Sequence, residues 1–340
     1  MSHLSKETGI WFVYDGECPL CTKAATALRI KQQYGILHLL NARENIGHNL
    51  LLAITEQGLD LDEGMVIYDG EHFYHGESAL RFMAKYSAPR GILNLFNKSL
   101  FWSDRLSKTI YPWLRGIRNL LLKNRNVSRI DNLNFKSEPT FKSIFGDTWK
   151  HLPLVIQKHY SIRPYSDDIT TAVGTLDIMC TGPIKYFSTL FWLMGSIPPH
   201  NEKDVPVTVH FKSDQHTKYF HFVRTFYFKN RKTYQFRSRM IQTTENEVIE
   251  IMRFGFGWKM QYLWEDSRVK LKHKGYVLKI FGHFVPLPLT VLMGEGNAEE
   301  TVIDDHNFKM FTDITHPKWG KIYEYKGCFE IKNNVIKDKE

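Results

Sequence analysis

Cysteine is scarce in this chain, with four in 340 residues, too few for a scaffold stapled by disulfides. Long apolar runs are missing as well. No uninterrupted stretch reaches the roughly 18 residues of a transmembrane helix; the closest, Tyr276 to Gly294, is broken by Lys279, His283, Pro286 and Pro288. The opening segment, Met1 to Gly9, is polar and has neither the apolar centre nor the cleavage site of a secretory signal. Like charges never gather in blocks of five, although the formal net charge is +9, so no basic nucleic-acid-binding tail is expected. These absences point to a cytoplasmic protein with reduced thiols and no nucleic-acid partner. Any membrane-surface contact is confined to a basic face.

What is present is ordinary globular material. Apolar residues make up 43% and charged residues 24%, the values of a folded chain, and aromatics at 14% predict ring-rich cores. The length suits two domains. The pattern divides the chain into an α/β part over 1–126, a polar linker over 127–140, and a β-rich part over 141–332.

The first part alternates. Ile10 to Tyr14 is a continuous apolar run, the mark of a strand buried on both faces. A turn and a helical stretch to about Tyr34 come next, with Leu20, Ala24, Ala27 and Leu28 at helical spacing and Gly35 as its stop. Ile36 to Leu40 is a second strand and Leu50 to Gln57 a second helix. Met65 to Tyr68 and Glu71 to His75 form a hairpin around Asp69-Gly70, read as a type I′ turn with positive φ at both residues. Ser78 to Tyr86 is a third helix. The order β-α-β-α-β-β-α is that of a thioredoxin-like sheet. Leu93 to Asn124 then reads as two basic amphipathic stretches broken near Pro112, which either cover the sheet or dock on a membrane surface or another domain.

Cys18-Pro19-Leu20-Cys21 opens the first helix directly after the first strand. Unpaired N–H groups and the macrodipole at a helix start favour an anion, so the Cys18 thiol should be acidic. The spacing of the two cysteines puts their side chains within disulfide reach, and Pro19 costs nothing at the first helical position. The chemistry implied is dithiol–disulfide exchange. Cys18, read as the more exposed, attacks a disulfide in a protein or small-molecule substrate, and Cys21 resolves the mixed disulfide. Zinc is the rival, but a structural site needs four ligands and only His72 and His75 are on hand to join the pair; no metal or cofactor is expected. Asp15 has two readings. It is a strand-end turn residue that caps nearby N–H groups, or a desolvated carboxyl with a raised pKa that takes the proton Cys21 must lose.

Asp15-Gly16-Glu17-Cys18-Pro19-Leu20-Cys21, placed after the strand Trp11 to Tyr14, resembles the DCC family of thiol-disulfide oxidoreductases, named for an Asp-x-x-Cys-x-x-Cys pattern. The likeness runs through the Asp69-Gly70 hairpin and the Ser78 helix to about Arg125. It implies a thioredoxin-like fold and protein-disulfide reductase activity, with Cys18 and Cys21 as the redox pair and Asp15 as the motif acid. One departure from thioredoxins proper is the absence of a proline before the third strand, where Gly64-Met65 stands.

From Phe145 to His159 a helix is expected, and then strands: Val205 to Phe211, Tyr219 to Phe228, Tyr234 to Ile241, Val248 to Phe254, Trp258 to Trp264, Val277 to Phe284, Phe308 to Ile314 and Ile322 to Ile331. This series predicts a mainly antiparallel sheet, a half-barrel or barrel, with a helical insert at Pro183 to Gly195. Its rings either fill a packed core or line an apolar pocket for a lipid or other apolar ligand. His316, Glu324, Asp313 and Arg224 are polar near expected strand ends, with no pattern tying them to a reaction. Gly174-Thr175-Leu176-Asp177, Pro286-Leu287-Pro288, His316-Pro317-Lys318-Trp319-Gly320 and Tyr325-Lys326-Gly327 give about Phe141 to Glu330 a resemblance to a bacterial family catalogued as a domain of unknown function, which implies no activity.

Overall fold

The computed structural model describes residues 9–27, 36–86, 104–182, 192 and 195–336. Its contacts divide the chain into two units, Met1–Asn134 and Phe135–Glu340.

In the first unit the expected order is found: β1 Gly9–Tyr14, α1 Pro19–Ala27, β2 Ile36–Asn41, α2 Asn49–Glu56, β3 Val66–Tyr68, β4 Phe73–His75 and α3 Glu77–Tyr86. The sheet order is β2-β1-β3-β4; β1 and β2 are parallel, and the β1–β3 and β3–β4 pairs antiparallel. The apolar run of β1 serves both faces. Ile10 and Phe12 pack with Ala25 and the α3 residues Ala79, Leu80 and Met83, while Val13 packs with Leu50 and Ile54 of α2.

Two local expectations are corrected. The β3–β4 turn is not type I′. Gly70 has φ 101° but Asp69 stays out of the positive-φ region, because the Asp69 carboxylate accepts the N–H groups of Glu71 at 3.0 Å and His72 at 2.7 Å and so builds a longer, side-chain-capped loop. The basic segment is not broken near Pro112 either: α4, Asp104–Asn124, runs through it. Packing of Ile110, Tyr111 and Leu114 on the sheet cluster offsets the hydrogen bond that Pro112 cannot make. Of the linker as read, Ile130 and Asp131 give their N–H groups to Asp62 at 2.9 and 2.7 Å, and Arg129 pairs with Asp60 at 3.1 Å. The helix extension beyond Ala27, its stop at Gly35 and the segment from Leu93 to Ser103 lie outside the described residues, as does most of the expected insert at Pro183 to Gly195.

The second unit begins with a 3-10 turn Phe135–Ser137, followed by α5 Lys142–Phe145, a second 3-10 turn Gly146–His151 and α6 Leu154–His159. The single helix expected over Phe145 to His159 is thus split, since Pro153 cannot continue the preceding turn. The strands are β5 Ile169–Cys180, β6 Glu202–Asp214, β7 Thr217–Phe226, β8 Tyr234–Gln242, β9 Glu247–Ile251, β10 Phe256–Glu265, β11 Arg268–Ile280, β12 His283–Leu287, then, after a short helix α7 Thr290–Met293, β13 Glu295–Val302, β14 Asn307–His316 and β15 Gly320–Val335. Among the described residues, β10-β9-β8-β7-β6-β5-β15-β14-β13-β11 closes through β10–β11 into an antiparallel barrel, with β12 added outside on β11. The strand expected over Val277 to Phe284 is a hairpin, turned at Phe281 and Gly282, both at positive φ.

Alternation builds the interior. Tyr234, Phe236, Ser238 and Met240 of β8 are buried in turn, as are Gly296, Ala298 and Glu300 of β13. Phe141, Phe145 and Tyr160 pack their rings against Tyr262, and Phe141 and Tyr160 also meet Phe220. Two glycines let β5 and β15 approach closely: a Cβ on Gly174 would lie 2.0 Å from the Cys328 carbonyl, and one on Gly327 would lie 1.8 Å from that of Thr175. His316, buried at the β14–β15 turn, stacks on Trp319 at 4.0 Å and accepts the Lys318 N–H at 3.0 Å, so it holds a turn.

Candidate functional site

The strand end, turn and helix start around Cys18 are tied from both sides. Asn41, at the end of β2, accepts the Gly16 N–H at 2.9 Å and the Arg43 N–H at 3.1 Å. Thr22 Oγ1 donates to the Gly16 carbonyl at 3.0 Å, and the Cys18 N–H donates to the Asp15 carbonyl at 3.1 Å. Cys18 therefore stands where a helix N-cap stands. Its Sγ accepts the Cys21 backbone N–H at 3.2 Å, the bond a Ser or Asp oxygen makes at an ordinary helix start.

This geometry sets the acidity of the pair. The Cys18 thiol is lowered to about 6, first by the hydrogen bond from the Cys21 side chain, and further by the Cys21 N–H and the Arg118 charge, against the opposing effect of burial. Cys21 is driven the other way, by the same hydrogen bond, by burial and by the neighbouring Cys18 charge. Of the two sulfurs, Cys18 is thus the more acidic. The expected difference in exposure is not found: Cys18 is 0% and Cys21 4% exposed. Helix α1 tucks both sulfurs under its first turn and leaves Leu20, 39% exposed, at the surface between them. The cysteines differ in acidity, not in access. Cys18 and Cys21 are free thiols, as is Cys328.

Asp15 lies beside the pair, 3% exposed. Its carboxylate accepts Arg43 Nε at 2.5 Å and Nη2 at 3.1 Å, Arg118 Nη2 at 3.0 Å and the Glu17 N–H at 3.0 Å. Burial raises its pKa, but the Arg43 hydrogen bond, the Arg43 and Arg118 charges and the Glu17 N–H together carry it below the usual value. The expected raised pKa is therefore corrected: Asp15 is ionised and is a poor proton acceptor. It caps the turn, as one reading had it, and it also grips two guanidinium groups.

The residue missed by sequence reasoning is Arg118. It comes from α4, is 6% exposed, and donates to the carbonyls of Asp62 and Leu61 as well as to Asp15. Its Nε is buried with no hydrogen-bond partner. Tyr111 and Arg115 share its helix face: Tyr111 donates to the Glu63 carbonyl at 2.7 Å and Arg115 pairs with the Glu63 carboxylate. A Cβ on Gly64 would lie 2.3 Å from the Tyr111 hydroxyl, so the place that holds proline in thioredoxins is occupied here by α4. The available signal was the basic periodicity of that helix, which marks a face but not its partner. His75 Nε2 is bonded to the Asp60 carbonyl at 2.8 Å, and His72 is an exposed residue of the β3–β4 loop. Among the described residues no group of three or more His, Cys, Asp or Glu is arranged to hold a metal.

The barrel interior holds a second polar cluster. Arg224 of β7 pairs with Glu250 of β9 at 2.9 Å, and Glu250 also accepts the Ser238 hydroxyl at 2.5 Å. Glu300 of β13 accepts the Tyr160 hydroxyl at 3.0 Å, and burial raises its pKa to about 7. His159 Nδ1 is 3.5 Å from Glu300 without a hydrogen bond; burial and the Arg224 charge lower His159 to about 3, so it is neutral. These groups border a cavity of about 90 Å³ whose other walls include Met240, Met252, Trp258, Tyr262 and Met310. Arg224, read near a strand end, lies at this cavity, whereas His316, Glu324 and Asp313 do not line it.

No curated protein matches the chain. Among solved structures, Rv2717c from M. tuberculosis aligns at 8% identity over 49% of this chain and 92% of its own, with a TM-score of 0.27. The dehydratase domain of the polyketide PpsC from Mycobacterium tuberculosis aligns at 5% identity over 53% of this chain and 81% of its own, with a TM-score of 0.13. Similarities this low establish neither fold nor function. Family models are more specific: that of the DCC1-like thiol-disulfide oxidoreductases matches residues 12–124, and that of the domain of unknown function DUF4166 matches residues 152–329. With just over half of its length in the second match, the chain belongs to the DUF4166 family and carries a DCC1-like thiol-disulfide oxidoreductase domain ahead of that barrel.

Proposed function

We propose that the first unit reduces disulfides in a protein or small-molecule substrate through Cys18 and Cys21, in the reducing cytoplasm. The observation that carries this reading is the Cys18 sulfur at the helix cap, bonded by the Cys21 N–H at 3.2 Å and lowered to about 6. At neutral pH that sulfur is a thiolate, the attacking form. It forms a bond to one substrate sulfur as the substrate S–S bond breaks. The departing thiolate takes a proton from solvent. Cys21 then loses its proton and attacks Cys18, and the second substrate thiolate leaves. Two electrons pass to the substrate and the pair ends as a disulfide, to be reduced again by an external dithiol. Arg118 lowers the energy of the negative charge at both sulfurs, and Asp15 positions Arg118 through the bond at 3.0 Å. Asp15 does not serve as the base, so the proton of Cys21 goes to the leaving thiolate. Since both sulfurs are buried, attack requires local opening at the start of α1.

The test is a Cys21→Ser variant offered a peptide disulfide. It should accumulate a mixed disulfide on Cys18, visible by intact mass, and Cys18→Ser should reduce exchange to background. No trapped species, together with unchanged exchange in Cys18→Ser, would overturn the reading.

A second reading concerns the barrel, which we propose binds an apolar small molecule. The cavity of about 90 Å³ and its methionine and aromatic walls support it.

A further inference from the structure

The stretch nearest to a continuous apolar run lies on the outside of the barrel. From Ile280 to Gly294 no residue carries a fixed charge, and His283 is the one ionisable side chain. This arm forms β12, added outside on β11, and then α7. Phe284 anchors it by packing on Ile249, Ile251 and Val277, yet Phe281 is 58%, Leu292 65% and Val291 77% exposed. Phe254, in the turn before β10, is 77% exposed and stands beside the tip of the arm. The register sets Phe256 opposite Leu278, and a Cβ on Gly255 would lie 2.8 Å from the Lys279 carbonyl. Phe254 and Phe281 both have left-handed backbone, φ 57° and 48°, which costs a bulky residue energy. A strained turn that presents a largely exposed ring gains little within the barrel. Contiguous exposed apolar surface of this kind marks an interaction site.

The edge itself narrows the partner. Pro286 lies within β12 and Pro288 follows it, and proline has no N–H to offer a neighbouring strand. Strand pairing with another chain is therefore disfavoured, and a partner that needs no fixed hydrogen bonds suits the arm better. The bordering charges complete the pattern. Arg253 adjoins Phe254 and Lys279 adjoins the tip. Arg239 and Lys279 converge on the ring of Tyr219, each 5.0 Å from its centroid. Among the described residues no ion pair joins Arg239, Arg253 or Lys279 to a carboxylate, whereas Lys259, Arg268 and Lys321 of the same barrel are each paired with one. No Asp or Glu occurs from Ile251 to Trp264 or from Ser267 to Gly294. Apolar tips enter the boundary between head groups and acyl chains, and unpaired cations beside them are drawn to anionic lipid.

We propose that the barrel docks on a lipid surface bearing anionic head groups, with Phe254, Phe281, Val291 and Leu292 entering the interface and Arg239, Arg253 and Lys279 meeting the head groups. The inference depends neither on the thiol chemistry nor on what the barrel cavity holds.

Sedimentation of the full chain with phosphatidylcholine vesicles, with and without phosphatidylserine, tests it. Binding should be at least about tenfold tighter when phosphatidylserine is present, a ratio that three cations near such a surface supply. A Val291→Ser, Leu292→Ser double variant changes two exposed side chains, so its melting temperature should match the parent while binding to the phosphatidylserine vesicles falls at least about tenfold. An Arg239→Gln, Arg253→Gln double variant should lose most of the preference for phosphatidylserine. Failure to sediment with either vesicle would overturn the proposal. Binding that survives the Val291 and Leu292 change would do so too, by placing the contact elsewhere on the chain. Equal binding to both kinds of vesicle would overturn the anionic class. A parent that is dimeric by light scattering, and monomeric once Val291 and Leu292 are changed, would assign the arm to a second copy of the chain instead.

Discussion

Asp15 in the first unit and Glu300 in the second are carboxyls of nearly equal burial, 3% and 2% exposed, yet their acidities move in opposite directions. Asp15 accepts two guanidinium groups and a backbone N–H, so the ionised form is held against the cost of burial. Glu300 accepts one tyrosine hydroxyl and has Arg224 only at a distance, so burial wins. Burial alone therefore says nothing about the protonation state of a carboxyl; the count of charged donors decides it. The first unit uses this to keep a fixed negative charge that anchors Arg118 near the thiols. The second keeps a carboxyl poised to change charge near neutral pH.

The largest effect should come from removing the shared guanidinium of the first unit. Arg118→Met leaves Asp15 with Arg43 alone and takes a nearby cation from Cys18. We expect a loss of about 3 kcal/mol in denaturant unfolding, near the lower end for breaking a buried pair because Arg43 remains. The pH profile of iodoacetamide alkylation should also move upward by roughly one unit, and Arg118→Lys should restore part of that movement. An alkylation profile identical to the parent would remove Arg118 from the thiol chemistry.

A smaller effect, confined to the other unit, is expected from Gly327→Ala. The new Cβ would fall 1.8 Å from the Thr175 carbonyl, so β5 and β15 must separate. The barrel should lose about 1–3 kcal/mol, with the alkylation rate of Cys18 untouched. A slowed alkylation rate would show that the thiol site depends on the barrel.

The pH dependence of stability should have opposite signs in the two units. In the reduced protein the folded Cys18 titrates near 6 and an unfolded thiol near 9. Between those values the unfolded chain holds the extra proton, so the stability contributed by Cys18 is complete above pH 9 and is lost as pH falls through 6. Above 9 the trend reverses, because folded Cys21 keeps a proton that the unfolded chain releases. Melting temperatures of the reduced protein should thus rise by a few degrees from pH 6 to pH 9, and the rise should vanish in Cys18→Ser. A slope that survives the substitution would assign it to another group.

The smallest expected effect is that of Glu300→Gln. Folded Glu300 titrates near 7 against an ordinary value of 4.5, so its contribution to stability is present below 4.5 and is lost as pH rises through 7. Gln keeps an acceptor for the Tyr160 hydroxyl and does not titrate. The barrel's melting transition should then flatten between pH 4.5 and 7, and an unchanged slope would show that Glu300 is already ionised across that window.

The placement of the cysteine pair was legible because it is local: a strand, a turn, two cysteines and a helix start are contiguous, and their arrangement arises from backbone geometry. The element order of the first unit was legible for the same reason, since β1 is apolar throughout and glycines and turn residues separate the later strands and helices. The strands β5 and β13 were passed over. The inward positions of β13 are Gly296, Ala298 and Glu300, and those of β5 begin with Thr170 and Ala172, so neither strand shows the alternation of large apolar side chains that marks a half-buried strand.

What the chain encodes locally is thus the cysteine pair at a helix cap, an α/β order, and a long antiparallel series with glycines where strands crowd. What only the tertiary structure decided is which distant groups meet. Arg118 reaches Asp15 across 103 positions and Arg43 reaches it across 28, and this convergence turns an expected proton acceptor into a fixed anion. Closure of the barrel brings Arg224, Glu250 and Glu300 around one cavity. Charge interactions depend on distance in space and on how much water lies between the groups, and neither quantity is written in the spacing of residues along a chain.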